Sequence, residues 1–175
     1  MKVIALVSPN QNARPDGVEV DAIVLHCDAS AHVDGTVSWL TSPTSKVSYH
    51  TLFDRDGQTC WTFVPTTKRA WHAGASRFMN RENCNDYSVG VAFANRNDGE
   101  PYDERMLAAC AAYCAGLMHK HPLIVLERIT THAIVSPGRK TDPVPPFDLA
   151  AFRAMVASEL TARRLSAIPC VSDRP

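Results

Sequence analysis

Two short runs constrain this chain most: DAIVLHC at Asp21–Cys27 and SVGVAFA at Ser88–Ala94. Each is apolar at consecutive positions, is bounded by polar or turn-forming residues, and is too short for an ordinary helix. Each therefore reads as a fully buried strand. A third apolar segment, Val47–Phe53, is separated from Thr59–Val64 by a stretch containing Asp56-Gly57, a dipeptide that favours the positive φ of a hairpin turn. These two segments are expected to pair antiparallel. Arg128–Thr131 makes a further short strand. Helical spacing appears at Met106, Leu107, Cys110, Cys114, Leu117 and Met118, which predicts a helix over Asp103–His119. Leu149, Phe152, Met155, Val156 and Leu160 predict another, capped by Asp148 and running to about Ala162. Strands interleaved with helices, with one hairpin among them, indicate an α/β fold: a mixed central β-sheet flanked by helices.

The chain has 175 residues, enough for one well-packed core, so 1–175 is read as a single domain with its motif-bearing part at about 20–162. The last dozen residues are expected to be loosely held. Eighteen basic residues balance eighteen acidic ones. That balance removes the electrostatic argument for a nucleic-acid partner. No run of about 18 apolar residues is present, so no membrane insertion is expected. The first residues, MKVIALVSPNQNARP, lack a full signal-peptide core and read as a strand, which predicts a protein that is cytoplasmic as synthesised. The six cysteines have apolar neighbours and read as buried free thiols. Cys110 and Cys114 lie four apart on one apolar helical stripe, where core packing is the expected role and metal binding the alternative. The chain is expected to be a monomer.

Seven histidines are candidates for chemistry. His119 and His121 fall at the C-terminal end of the long helix, where the dipole favours a partly charged imidazole. His32 reads as a surface residue. His26 and His132 differ, because each follows a strand, and the carboxylate Asp142 comes ten residues after the second. Two imidazoles and one carboxylate make a catalytic zinc set that leaves the fourth position open. The HExxH helix of the best-known zinc proteases is absent.

Several segments, in order, resemble one family. IVLHCDAS resembles the first-ligand strand of zinc-dependent N-acetylmuramoyl-L-alanine amidases, and VSYHTLFDRDGQ their hairpin. RAWHAGAS and NDYSVGVAFAN are similar to their groove segment and the strand after it, and HAIVSPGRKTDPVPPF to the segment bearing the last two ligands. The family includes phage lysozyme-amidases, the cytosolic amidase of anhydro-muropeptide recycling and animal peptidoglycan-recognition proteins. The resemblance implies one zinc ion held by His26, His132 and Asp142, with peptidoglycan or a muropeptide as partner.

Carried over by position, the resemblance makes Tyr49 and Lys140 catalytic and Trp71 and His72 substrate contacts, while His50 is second to these or purely structural. A fixed cation at Lys140 steadies an oxyanion and a hydroxyl at Tyr49 orients water. One departure stands out: the glutamate of recycling amidases, a proposed general base, falls on Ala92. The base role must then pass to Tyr49, to hydroxide at the metal or to the substrate itself. The compact chain suggests a phage-type endolysin, with cytosolic turnover of anhydro-muropeptides as the alternative and non-catalytic peptidoglycan binding as a third reading.

Overall fold

The computed structural model describes residues 1–166. Its central sheet contains β1 (Lys2–Ala5), β3 (Ala22–Cys27), β4 (Thr51–Phe53), β5 (Thr59–Thr62), β9 (Ser88–Phe93) and β10 (Ile129–Thr131), in the order β1-β5-β4-β9-β3-β10. Two ribbons lie apart from it: β2 (Gln11–Ala13) with β6 (Lys68–Ala70), and β7 (Arg77–Phe78) with β8 (Arg81–Glu82). Only the β4/β5 hairpin is antiparallel within the main sheet, so the sheet is mixed as expected. The two continuous apolar runs become its adjacent central strands β3 and β9, and every residue of both is buried.

Strand alternation sends Ile23, Leu25 and Cys27 to one face and Ala22, Val24 and His26 to the other. The first face packs under α2 (Glu104–Lys120) and α4 (Leu149–Ser166) through Met106, Cys110, Cys114, Phe152 and Val156. Both helices start on aspartate caps, of which Asp148 was expected: Asp103 accepts from Arg105 N at 2.8 Å, and Asp148 from Ala150 N and Ala151 N at 2.8 and 3.0 Å. Cys110 and Cys114 are therefore core residues. The five cysteines among the described residues are buried free thiols; Cys170 lies outside them.

The second face carries His26, and its cover was less legible. A helix not anticipated, α1 (Val33–Thr41), places Leu40 against Leu52 and Ala92. The expected strand Val47–Phe53 shortens to Thr51–Phe53 because Ser48 turns away from the sheet. Ser48 N donates to Trp71 O at 3.2 Å, and Ser48 Oγ donates to Asn10 O at 2.7 Å and accepts from Trp71 N at 2.9 Å. This diversion brings Tyr49 over the end of β3. The last dozen residues, expected to be loosely held, fall mostly on 167–175, outside the described residues. Among the described residues no helix is long and apolar enough to cross a membrane.

Candidate active site and metal centre

His26 is the penultimate residue of β3, and His132 is the first residue after β10, where it opens the short helix α3 (His132–Val135). Parallel neighbours deliver both side chains to the same carboxyl end of the sheet, the usual location for sites in such folds. The following loop returns so that Asp142 O accepts from Ala133 N at 2.9 Å. His26 Nδ1 and His132 Nδ1 stand 3.0 Å apart, and Asp142 Oδ2 is 3.1 Å from the latter and 3.4 Å from the former. All three residues are buried.

The outer nitrogens are already engaged. His26 Nε2 lies 3.0 Å from His72 Nδ1, and His132 Nε2 lies 3.2 Å from Ala73 O. A neutral imidazole has one N–H, and with that hydrogen used outward its Nδ1 presents a lone pair. Two lone pairs and a carboxylate then converge on one point, which a cation satisfies and no group among the described residues supplies. The donor set of two neutral nitrogens and one carboxylate suits zinc. Burial pushes the His26 imidazolium down to about 4, against the pull of Asp142, so the ring is neutral near pH 7. Burial alone would raise the Asp142 carboxyl, but the adjoining His132 and His26 rings outweigh it and hold the group well below the usual carboxylate range.

Above this cluster lies an open groove of about 550 Å³, lined by Tyr49, Trp71, His72, His132 and Lys140. The residues expected from sequence thus meet at one place. Tyr49 stacks obliquely on His26 with ring centroids 5.0 Å apart. Burial, then the charge of Asp142, raises its phenol far above the ordinary range, so the group is a proton donor at neutral pH and not a base. That narrows the options left open by Ala92, which pairs in register with His26 and is 0% exposed against Leu40 and Leu52. Lys140 is exposed in the loop after α3, and Trp71 donates from Nε1 to Asn12 Oδ1 at 2.6 Å. His72 reaches the groove but is only 6% exposed, with both ring nitrogens turned inward.

His50 is structural. Its Nδ1 accepts from Gly90 N at 2.9 Å, and its Nε2 lies 3.2 Å from Lys68 O. Burial and the Arg14 guanidinium push it down to about 3. Sequence reasoning missed Trp39, Lys46, Arg139 and Asp28, which also line the groove. Trp39 and Lys46 belong to the unanticipated α1 and the turn after it, so no motif marked them. Asp28 follows His26 by two positions on the same side of the chain, and its carboxylate accepts from Thr36 Oγ1 at 2.8 Å and Asn95 N at 2.9 Å.

The sequence profile of the N-acetylmuramoyl-L-alanine amidase family matches residues 16–145. The chain is 34% identical to the 1,6-anhydro-N-acetylmuramyl-L-alanine amidase AmpD of Escherichia coli (strain K12) over 171 residues, covering 88% of this chain and 92% of that protein. A crystal structure of a selenomethionine AmpD derivative superimposes with a TM-score of 0.77 at 32% identity, over 89% of this chain and 94% of that one. AmpDh3 from Pseudomonas aeruginosa, in complex with anhydromuramic pentapeptide, superimposes with a TM-score of 0.70 at 25% identity, over 82% and 62% of the two chains. These relatives favour the anhydro-muropeptide alternative over the endolysin role expected from the compact chain. With its fold, its His-His-Asp cluster and its matched segments in agreement, this chain belongs to the N-acetylmuramoyl-L-alanine amidase family and is an amidase acting on peptidoglycan material.

Proposed function

We propose that the protein is a cytoplasmic zinc amidase of cell-wall turnover that hydrolyses the amide between the lactyl group of 1,6-anhydro-N-acetylmuramic acid and L-alanine in soluble muropeptides. The observation that carries this reading is the 34% identity to an amidase of that substrate over nearly the full length of both chains. In this reading His26, His132 and Asp142 hold one zinc ion. Zinc supplies Lewis acidity at the scissile carbonyl and acidifies water.

The chain's own residues do the rest. Lys140, a mobile-stemmed cation at the groove, moves onto the carbonyl oxygen as it gains negative charge, an interaction stronger in the transition state than in the ground state. Tyr49 keeps its proton and donates a hydrogen bond that orients the attacking water or the carbonyl. Trp71 offers a flat apolar wall to the muramyl-peptide. The face of β9 that carries Ala92 has no carboxylate to take a proton, and Asp142 is a poor acceptor because its carboxyl is held well below the usual range, so the proton of the attacking water passes to the departing amine.

The test is a comparison of kcat/KM on purified anhydro-muropeptide and on intact sacculi, with products identified by mass. The reading expects preferred release of free stem peptide from the soluble fragment. Equal or faster release from intact sacculi would contradict the turnover role while leaving amidase chemistry in place.

A further inference from the structure

We infer that the two-residue segment His72–Ala73 is an outer brace of the metal centre, in which His72 is a positioning residue that decides which ring nitrogen of His26 carries the proton. The inference rests on the zinc assignment proposed above.

His72 meets His26 edge to face, with an interplanar angle of 83° and ring centroids 5.1 Å apart. Its Nδ1 lies 3.0 Å from His26 Nε2, and its Nε2 lies 3.2 Å from Ser88 Oγ. The Ser88 hydroxyl donates to Cys84 O at 2.5 Å, so its single proton is committed there. Ser88 Oγ must therefore accept from His72 Nε2–H. Because a neutral imidazole carries one N–H, His72 Nδ1 is an acceptor, and it takes the hydrogen of His26 Nε2. His26 Nδ1 is left with a lone pair aimed at Asp142. One residue along the chain, Ala73 O does the same for His132 by accepting from its Nε2 at 3.2 Å.

The brace is itself held. Asn85 Oδ1 accepts from both His72 N at 3.0 Å and Ala73 N at 2.7 Å. Gly90 leaves the space in which the His72 ring sits, since a Cβ there would lie 2.4 Å from His72 Cγ. Ligating histidines gain orientation and basicity from an acceptor on the far nitrogen, usually a carbonyl or carboxylate. Here one of those acceptors is a second histidine, fixed in one tautomer by a serine.

Long-range ¹H–¹⁵N correlation of the imidazoles in the zinc-loaded full chain tests the tautomer directly. His72 should show a protonated Nε2 and a bare Nδ1; a protonated Nδ1 overturns the inference. Zinc affinity, measured by chelator competition, tests its consequence. His72→Leu should weaken binding by about 10- to 100-fold. His72→Asn, whose Oδ1 falls near the former Nδ1, should recover most of that loss. Wild-type affinity in His72→Leu, or equal loss in both variants, overturns the positioning role. Should His72→Leu fail to fold, the wild-type spectrum and the His72→Asn affinity still decide. A wild-type chain that binds no zinc would instead remove the zinc assignment, and this inference with it.

Discussion

Gly90→Ala is the smallest change that should disturb the metal centre from a distance. Gly90 sits mid-way along β9 with β3 on one side and β4 on the other. Its backbone cannot drift, because Gly90 N donates to His50 Nδ1 at 2.9 Å and Gly90 O accepts from His50 N at 3.0 Å. The added methyl would stand 2.4 Å from His72 Cγ and 2.8 Å from its Cβ and Cδ2. Carbon atoms separate to about 3.5 Å, so the imidazole must retreat by about 1 Å. That retreat stretches the His26 contact to about 4 Å, beyond hydrogen-bonding range. Overpacking of a rigid core costs about 1–3 kcal/mol, and a buried N–H left without its acceptor costs about as much again. For a chain of this size a total of about 2–6 kcal/mol lowers Tm by about 4–24 °C. Thermal unfolding of zinc-free and zinc-loaded protein should show the loss in both states. Zinc affinity should also fall by about 10- to 100-fold. Gly35→Ala is the control, since a Cβ there meets nothing within 4 Å and a helical alanine is favoured. Unchanged Tm and affinity in Gly90→Ala would refute the argument that the His72 ring has no room to move.

Lys140→Ala should lower turnover about a hundredfold or more with Tm unchanged, because the side chain is exposed and supports no core; a steady-state assay beside a melting curve checks both halves. Tyr49→Phe should keep zinc and fold normally yet turn over about a hundredfold more slowly, as expected for a lost hydrogen-bond donor, and normal turnover would remove the phenol from the mechanism. In the metal-free protein, burial holds His26 near 4 and His50 near 3, below the unfolded value of about 6.5. The unfolded chain therefore binds more protons, so stability is full above pH about 6.5 and falls as pH drops toward 4 and then 3. Urea unfolding at pH 7.5 and 4.5 should show that decline, and equal free energies at the two values would contradict it.

The sheet was legible because β3 and β9 are apolar at nearly every position, His26 and Ser88 aside, a pattern that suits a central buried strand. The candidate ligand set was legible for a related reason: His26 stands at the end of β3, His132 directly follows β10, and Asp142 comes in a loop that proline and glycine keep from becoming helix. Helix α1 was hidden because its buried contact is mainly Leu40, while Val33, Val37 and two threonines are poor helix formers and His32 gives no side-chain cap. The diversion of the chain at Ser48 depends on Asn10 and Trp71, distant in sequence. His72 reads as a groove residue from its neighbours in RAWHAGAS, but its inward contacts arise from Gly90, Ser88 and Asn85, which only the folded chain brings together. Ala92 was legible as a missing carboxylate, and the fold adds that its place is filled by apolar packing.

In the proposed reading, a zinc ion held by His26, His132 and Asp142 supports hydrolysis of the lactyl-alanine amide. The most direct test of that reading is mass analysis of anhydro-muropeptide incubated with the protein in three forms: zinc-loaded, chelator-stripped, and zinc-supplemented Asp142→Ala. The account predicts one new product pair, the anhydro-sugar and a peptide beginning with free L-alanine, from the zinc-loaded protein alone. The same products from the stripped protein, or undiminished release by the Asp142→Ala variant, would contradict it.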